Sequence, residues 1–363
     1  MLGIVVTSYQ PHFFLYQDLL LSNLDRTKYK PIFLCSHENH KFVEMIGENI
    51  NTELQYLDVN PGHHDGVYVM NSLVSELFDD CDHILHYHAD IWFGQNLKAE
   101  QENFESLLNL TPNVQNGQYV FNASGCAGCH KDQEGTDRLM LSGGLVLKTE
   151  YGEFYVPNIS MSRENGIGAW SFNDFVNAVR LGISPQNQHY YPSFPYTSYN
   201  KIKDQELVDL WAYWQTLPEV ESQNSGHDLS FPYNLRVGLG VWKKLFVKTD
   251  FVGSDTHEKG RYLVEALGHC AECHSPRNIF GGLKVNEWMH GGENPSGSGK
   301  VPNLLETVEK WSAEEMEEYL STGFTPDFDV VGGHMAEVIE STRLLSYDDR
   351  VAIYNYLKAL TND

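Results

Sequence analysis

The sequence predicts a multidomain chain, with an N-terminal α/β segment built on a parallel sheet followed by two mostly α-helical units of one kind. Three observations predict it. Short apolar, β-branched runs alternate with helical stretches over the first hundred residues, the pattern of strands joined through helices. Beyond residue 110 the chain repeats itself at a nearly constant offset. Each copy carries one five-residue motif, Cys126-Ala127-Gly128-Cys129-His130 and then Cys270-Ala271-Glu272-Cys273-His274.

The repeat is checked by subtraction. Gly117 and Tyr119 return as Gly260 and Tyr262, an offset of 143, and Cys126 returns as Cys270 at 144. Pro157-Asn158 returns as Pro302-Asn303 at 145, Trp170-Ser171 as Trp311-Ser312 at 141, Gly182 with Pro185 as Gly323 with Pro326 at 141, and Tyr213 as Tyr356 at 143. Units this long are not solenoid repeats, so they are two copies of one domain. The expected divisions are an α/β segment over residues 1–110, a first helical domain over 111–220, a connector over 221–255 and a second helical domain over 256–363.

Two cysteines separated by two residues and followed at once by histidine form the c-type haem attachment pattern. On one helical turn both thiols reach the two vinyl groups of a single porphyrin, and the next residue's imidazole lies under the iron as proximal ligand. The expectation is two covalently bound haem c groups, held by Cys126, Cys129, Cys270 and Cys273, with His130 and His274 on the irons. The competing readings are one structural zinc on four cysteines, or two redox dithiols. A zinc ribbon has no need of histidine after each second cysteine, and a thioredoxin-like dithiol would sit in a βαβ pattern missing around these motifs.

The chain has 363 residues, 41% hydrophobic and 20% charged, an ordinary globular composition. Its 25 basic and 49 acidic side chains give a net charge of −24. That balance argues against nucleic acid or an anionic membrane as partner and permits steering toward a basic protein. Cys35 and Cys81 lie in apolar strand-like surroundings and read as buried free thiols. No run of eighteen apolar residues is present, so no transmembrane helix is predicted. Met1–Val6 lacks a basic n-region, and Thr7-Ser8-Tyr9-Gln10-Pro11 cuts the apolar run too short for an export signal. Haem c is attached outside the cytoplasm, so the expected location is nonetheless periplasmic.

Taken in order, residues 2–8, Pro31–Cys35, Leu54–Val59 and His83–His88 read as strands. Residues 96–116 read as a charged helix and a linker, with Thr111-Pro112 and Asn116-Gly117 as turn signals. Asp204–Leu217 places Leu207, Leu210, Trp211 and Trp214 on one helical stripe, and Tyr347–Leu360 is its amphipathic counterpart. Between them lie Phe231-Pro232-Tyr233, an apolar stretch at Val237–Val247, and a Gly/Ser loop at Gly291–Gly299. The opening strand, Asn71 in a helix after Gly66, and a strand emptying into His88-Ala89-Asp90 resemble part of a GT-A glycosyltransferase over about residues 1–95. In that family an Asp-x-Asp at this strand end binds the metal of a sugar nucleotide; here His88 stands in place of the first Asp.

Residues 117–362 resemble the cytochrome c subunits of membrane-bound alcohol and sugar dehydrogenases. The likeness is carried by Gly143-Gly144-Leu145, Phe154-Tyr155-Val156-Pro157-Asn158-Ile159, Gly166-Ile167-Gly168-Ala169-Trp170-Ser171, Tyr191-Pro192-Ser193-Phe194-Pro195-Tyr196 and Gly332-Gly333-His334-Met335-Ala336. It implies two class I cytochrome c domains. It implies also a periplasmic electron carrier, with a quinoprotein or molybdenum dehydrogenase as donor and a cytochrome or oxidase as acceptor. Any membrane association would then run through a partner subunit. Many of those subunits carry three haems; this sequence has motifs for two, so quinone reduction is not carried over.

Class I units take a methionine sulfur as distal ligand from a loop before the last helix. Met335, after Gly332-Gly333 and twenty-one residues before Tyr356, fits that role. Subtracting 141 from 335 lands on Phe194, which cannot bind iron, leaving His189, Met161 and Met140 as candidates at the first haem. The expected function is single-electron transfer. The alternatives are a dihaem oxidase or peroxidase using an open iron, a thiosulfate dehydrogenase-like enzyme, or a glycosyltransferase fragment fused to a cytochrome. Replacing Cys129 or Cys273 with Ala should leave one covalent haem per chain by pyridine haemochrome assay, and the double variant should lose haem staining in a denaturing gel.

Overall fold

In the computed structural model the described residues are the strands β1 (Leu2–Thr7), β2 (Tyr29–Ser36), β3 (Glu53–Leu57) and β4 (His83–His88), then residue 107 and residues 109–361 apart from 136 and 295–298. The chain divides into two compact units, Met1–Leu108 and Asn109–Asp363. In the first, β1 is central, with β2 and β4 on its two sides and β3 outside β2, all parallel. The helices expected between these strands, Asn71, Ala89-Asp90, the thiols of Cys35 and Cys81, and most of the charged helix before residue 110 lie outside the described residues.

The second unit is mostly helical. Its helices are α1 (Val114–Ala123), α2 (Cys126–His130), α3 (Phe172–Val176), α4 (Tyr196–Tyr199), α5 (Asp204–Trp214), α6 (Leu239–Phe246), α7 (Glu258–Tyr262), α8 (Ala271–His274), α9 (Leu304–Lys310), α10 (Ala313–Thr322), α11 (His334–Thr342) and α12 (Tyr347–Ala359). Two antiparallel sheets complete it, β5 (Val146–Thr149), β6 (Gly152–Tyr155) and β7 (Asp228–Leu229), and β8 (Gly292–Glu293) with β9 (Lys300–Val301).

The organising contact is a pair of helix crossings, α1 on α5 and α7 on α12. At each crossing the chain has a glycine. A Cβ placed on Gly117 would lie 2.0 Å from the Asp209 carbonyl oxygen, and one on Gly260 would lie 2.0 Å from that of Ala352. Backbone therefore touches backbone. Asn116-Gly117, expected to mark a turn, lies instead inside α1, which starts at Val114 with Asn113 as N-cap, its side chain accepting from the Asn116 amide. The glycine serves packing rather than chain reversal. Around the first crossing the Phe121 ring lies 5.4 Å from both Tyr213 and Trp214, and Trp214 donates from Nε1 to the Ile159 carbonyl at 2.8 Å. Phe121, Leu207, Leu210 and Trp214 are buried, each contributing about 1.5–3 kcal/mol or more of transfer free energy, while Trp211 is half-buried.

Equivalent signals also bound α3 and α10. Ser171 with Asp174, and Ser312 with Glu315, form capping boxes at their starts. The chain leaves both segments through left-handed glycines, Gly182 (φ 61°) after a π-turn over Asn177–Leu181, and Gly323 (φ 85°).

The segment between the repeats is ordered. Asp228–Leu229 adds a strand to β6, and residues 239–246 of the expected apolar stretch form α6, whose Trp242 Nε1 donates to the Phe280 carbonyl at 2.7 Å. The Gly/Ser stretch near 291–299 is bracketed by the β8–β9 hairpin.

Gly260→Ala should lower the thermal midpoint of the second unit by overpacking the α7–α12 crossing, at a cost of about 1–3 kcal/mol. A chain beginning at Asn109 should keep its helical circular dichroism and unfold as a cooperative unit.

Candidate haem attachment sites

Both motifs are local helix. Cys126–His130 is one short helix, entered through Gly125 in the left-handed region (φ 65°), which turns the chain sharply away from α1. In the second copy Cys270 caps Ala271–His274. Four free thiols result.

The two histidines are held identically. His130 Nδ1 lies 2.8 Å from the Pro157 carbonyl and His274 Nδ1 lies 2.9 Å from that of Pro302. An Nδ1–H donated to a carbonyl leaves the Nε2 lone pair for a metal and fixes the ring plane. Burial lowers the His130 imidazole to about 4 and lowers His274 too, so both rings are neutral, as a metal ligand must be. The repeated Pro-Asn was legible only as a marker of the duplication; its carbonyl turns out to orient the proximal ring.

Burial pushes the Cys126 and Cys270 thiols up to about 12, which keeps them protonated and argues against a low-pKa redox dithiol. Cys129 is pushed up to about 11, by burial first and then by its neighbours Cys273 and Glu337. The second cysteines of the two motifs are thus within electrostatic reach of each other. Yet no group of three or more Cys, His, Asp or Glu among the described residues is arranged to hold a metal ion directly, so the zinc reading has no site. A haem fits: two thiols and one imidazole sit on each short helix. The loop before Met335 also leaves Phe324, Phe328 and Val330 exposed, apolar surface that a porphyrin would take from water.

The halves contact each other reciprocally. Tyr262 of α7 donates its hydroxyl to Glu206 of α5, and Tyr119 of α1, raised by burial and then by Asp349, bonds that carboxylate on α12. The two pairs join repeat-equivalent positions at an offset of 143. Near the motifs the same exchange recurs. Thr197, just after α4 begins, donates to Glu272 of the second motif, and Gly128 of the first motif lies against Glu337 of α11. Lys131 pairs with Glu337 at 2.8 Å, Arg138 donates to the Glu340 carbonyl and to Ser341 Oγ (2.5 and 3.0 Å), and the Tyr199 ring lies 5.5 Å from that of His269. Each half's post-loop helix, α4 or α11, rests on the other half's attachment segment.

Met335 is the second residue of α11 and is half-buried. Phe194 occupies the matching place: the isolated bridges Ile183 with His189 and Phe324 with Val330 fall at one offset, as do the bonds Tyr190 N to Gly182 O (2.7 Å) and Val331 N to Gly323 O (2.9 Å).

Residues 114–218 match the family model described as cytochrome c. A protein of Cereibacter sphaeroides described as a dihaem cytochrome c-type is 46% identical over 278 residues, covering 74% of this chain and 92% of that protein. This chain is a dihaem c-type cytochrome. The dihaem cytochrome binds two haem c groups and transfers electrons. It is also 33% identical over 280 residues to the cytochrome subunit of fructose dehydrogenase from Gluconobacter japonicus (74% of this chain, 56% of that one). It is 35% identical over 257 residues to a nicotinate dehydrogenase subunit from Pseudomonas putida (69% and 21%). The cytochrome thus spans about half of the former and a fifth of the latter.

Proposed function

We propose that this cytochrome receives single electrons from a periplasmic dehydrogenase and passes them toward the respiratory chain through its two haems. The observation that carries it is that the two motif histidines are held alike by proline carbonyls, at 2.8 and 2.9 Å, in halves that contact each other reciprocally. Cys126, Cys129, Cys270 and Cys273 form the thioether links, His130 and His274 are the proximal ligands, and Met335 is the distal ligand of the second iron. The bound haem supplies the redox chemistry; the chain fixes the imidazoles, excludes water and sets the spacing.

We assign the first and second haem domains to residues 111–220 and 256–363 and the connector to 221–255. The α/β segment over 1–110, with its GT-A-like strand pattern, takes no part in the electron route. The donor is a quinoprotein or molybdenum dehydrogenase and the acceptor a cytochrome or oxidase, in line with relatives that are named as dehydrogenase subunits. A net charge of −24 favours a basic docking face on those partners. Among the described residues no helix is long and apolar enough to cross a membrane, and membrane association in this reading runs through a partner subunit.

Pyridine haemochrome assay should give two haems per chain, and a potentiometric titration should resolve two one-electron steps. Thioether ligation raises the potential relative to a haem without it. Met335→Ala should therefore lower only the higher of the two potentials and abolish the thioether charge-transfer band. Persistence of that band in the variant would remove Met335 from the site.

A further inference from the structure

The first haem differs from the second on the face opposite its proximal histidine. Phe194 stands where Met335 stands in the other half, in a loop with the same bridge and the same backbone bond, so the difference is one of side chain and not of register. The ring of Phe194 is fixed among aromatics, with centroids 5.9 Å from Tyr190, 6.2 Å from Tyr196 and 5.9 Å from Tyr199.

Among the described residues, the groups considered as replacements for a methionine are held elsewhere. His189 is clamped by the connector. Lys243 Nζ of α6 lies 3.1 Å from its Nδ1 and bonds the Leu181 and Gly182 carbonyls at 2.6 and 2.7 Å; Arg236 donates to the His189 carbonyl at 2.9 Å. Its Nε2 is pressed on Gly240, where an added Cβ would lie 3.1 Å away. Met140 belongs to the proximal side: its carbonyl accepts from the Asp132 amide at 2.8 Å, two residues after His130, and the neighbouring Gly143 amide bonds the His130 carbonyl at 2.8 Å. Met161 follows Pro157, the residue that holds the His130 ring, and its segment is tied back by Ile159 N to Leu141 O at 3.0 Å. Tyr199 has its hydroxyl on the Ser124 carbonyl. Burial pushes the Tyr190 phenol up to about 12, so it stays protonated and is a poor ligand.

We propose that the haem held by His130 has no protein ligand on its distal face and is a binding site for a small neutral π-accepting ligand of the carbon monoxide class in the ferrous state, walled by Phe194 and its aromatic neighbours. The proposal rests on the two-haem reading above. It gives the protein a ligand-binding activity beside electron transfer, confined to one of its haems. Axial ligand and distal polarity decide whether a haem iron binds gas or only carries electrons. Here the proximal sides match and the distal sides do not.

The test uses the holoprotein reduced with dithionite and titrated with carbon monoxide, followed by the Soret band. The expected result is one carbon monoxide bound per two haems in the unaltered protein. His189→Ala should leave that stoichiometry unchanged, Met335→Ala should raise it to two, and Phe194→Met should abolish binding and add a second thioether charge-transfer band. Two attached haems with no carbon monoxide bound overturns the proposal, and so does binding that appears only in His189→Ala, which would make His189 the ligand. Fewer than two haems by pyridine haemochrome assay overturns the two-haem reading itself and this proposal with it. The titration of the unaltered protein decides the matter even if Phe194→Met does not fold.

Discussion

Tyr262 bonds Glu206 and Tyr119 bonds Asp349, and because both pairs link the same two positions of the repeat, the contact is its own mate under a local two-fold rotation. A hydrogen bond from a phenol to a carboxylate contributes about 1.5–3 kcal/mol, and here two of them form or fail together. A self-complementary contact of this kind fixes the halves in one arrangement. Residues near such an axis are brought toward their own equivalents, and the Cys129 thiol is raised in part by its neighbour Cys273. The helix crossings at Gly117 and Gly260 lie upstream of this. Without backbone contact at those glycines, α1 and α7 would sit farther from α5 and α12 and the tyrosines would miss their acids.

The exchange of α4 and α11 across the interface has a further consequence. Lys131 and Arg138 of the first half secure the helix that begins one residue before Met335. Each of these pairs is partly exposed and by itself worth little, but together with the Gly128–Glu337 contact they fix where α11 starts. The helix that carries Met335 is therefore positioned by the segment of the first motif. The connector distinguishes the two halves: α6 reaches the 181–189 segment through Lys243. One distal loop is clamped from outside while the other keeps Phe324, Phe328 and Val330 exposed.

Much of the site was legible because it is local. A motif of five contiguous residues states its chemistry without reference to the fold, and subtraction at a fixed offset is enough to place Phe194 opposite Met335. Helices α5 and α12 followed from apolar spacing. The β5–β7 sheet did not, since strands of two to four residues carry too little alternation, and β7 comes from more than seventy residues beyond its partner. The reciprocal tyrosine–acid pairs were missed although their signal was present: Glu206 and Asp349 are both acidic at the offset that relates Tyr119 to Tyr262. Side chains that pair between copies leave no trace in a reading that takes each copy alone. Asn116-Gly117 misled because a glycine that permits helix contact looks, in sequence, like a glycine that ends a helix.

The net charge bears on both irons nearly alike. A charge of −24 spread over the chain favours the ferric form and lowers both potentials, but attachment segments in halves joined by reciprocal contacts feel similar long-range fields. The proximal sides contribute no difference, because His130 and His274 make the same bond to a proline carbonyl at 2.8 and 2.9 Å. In the reading proposed above, any gradient between the haems comes from the distal side, where Met335 of one half corresponds to Phe194 of the other. A duplicated domain evolving under one field and one proximal geometry has few independent means of separating two potentials, and a single substitution at the ligand position is the most direct of them.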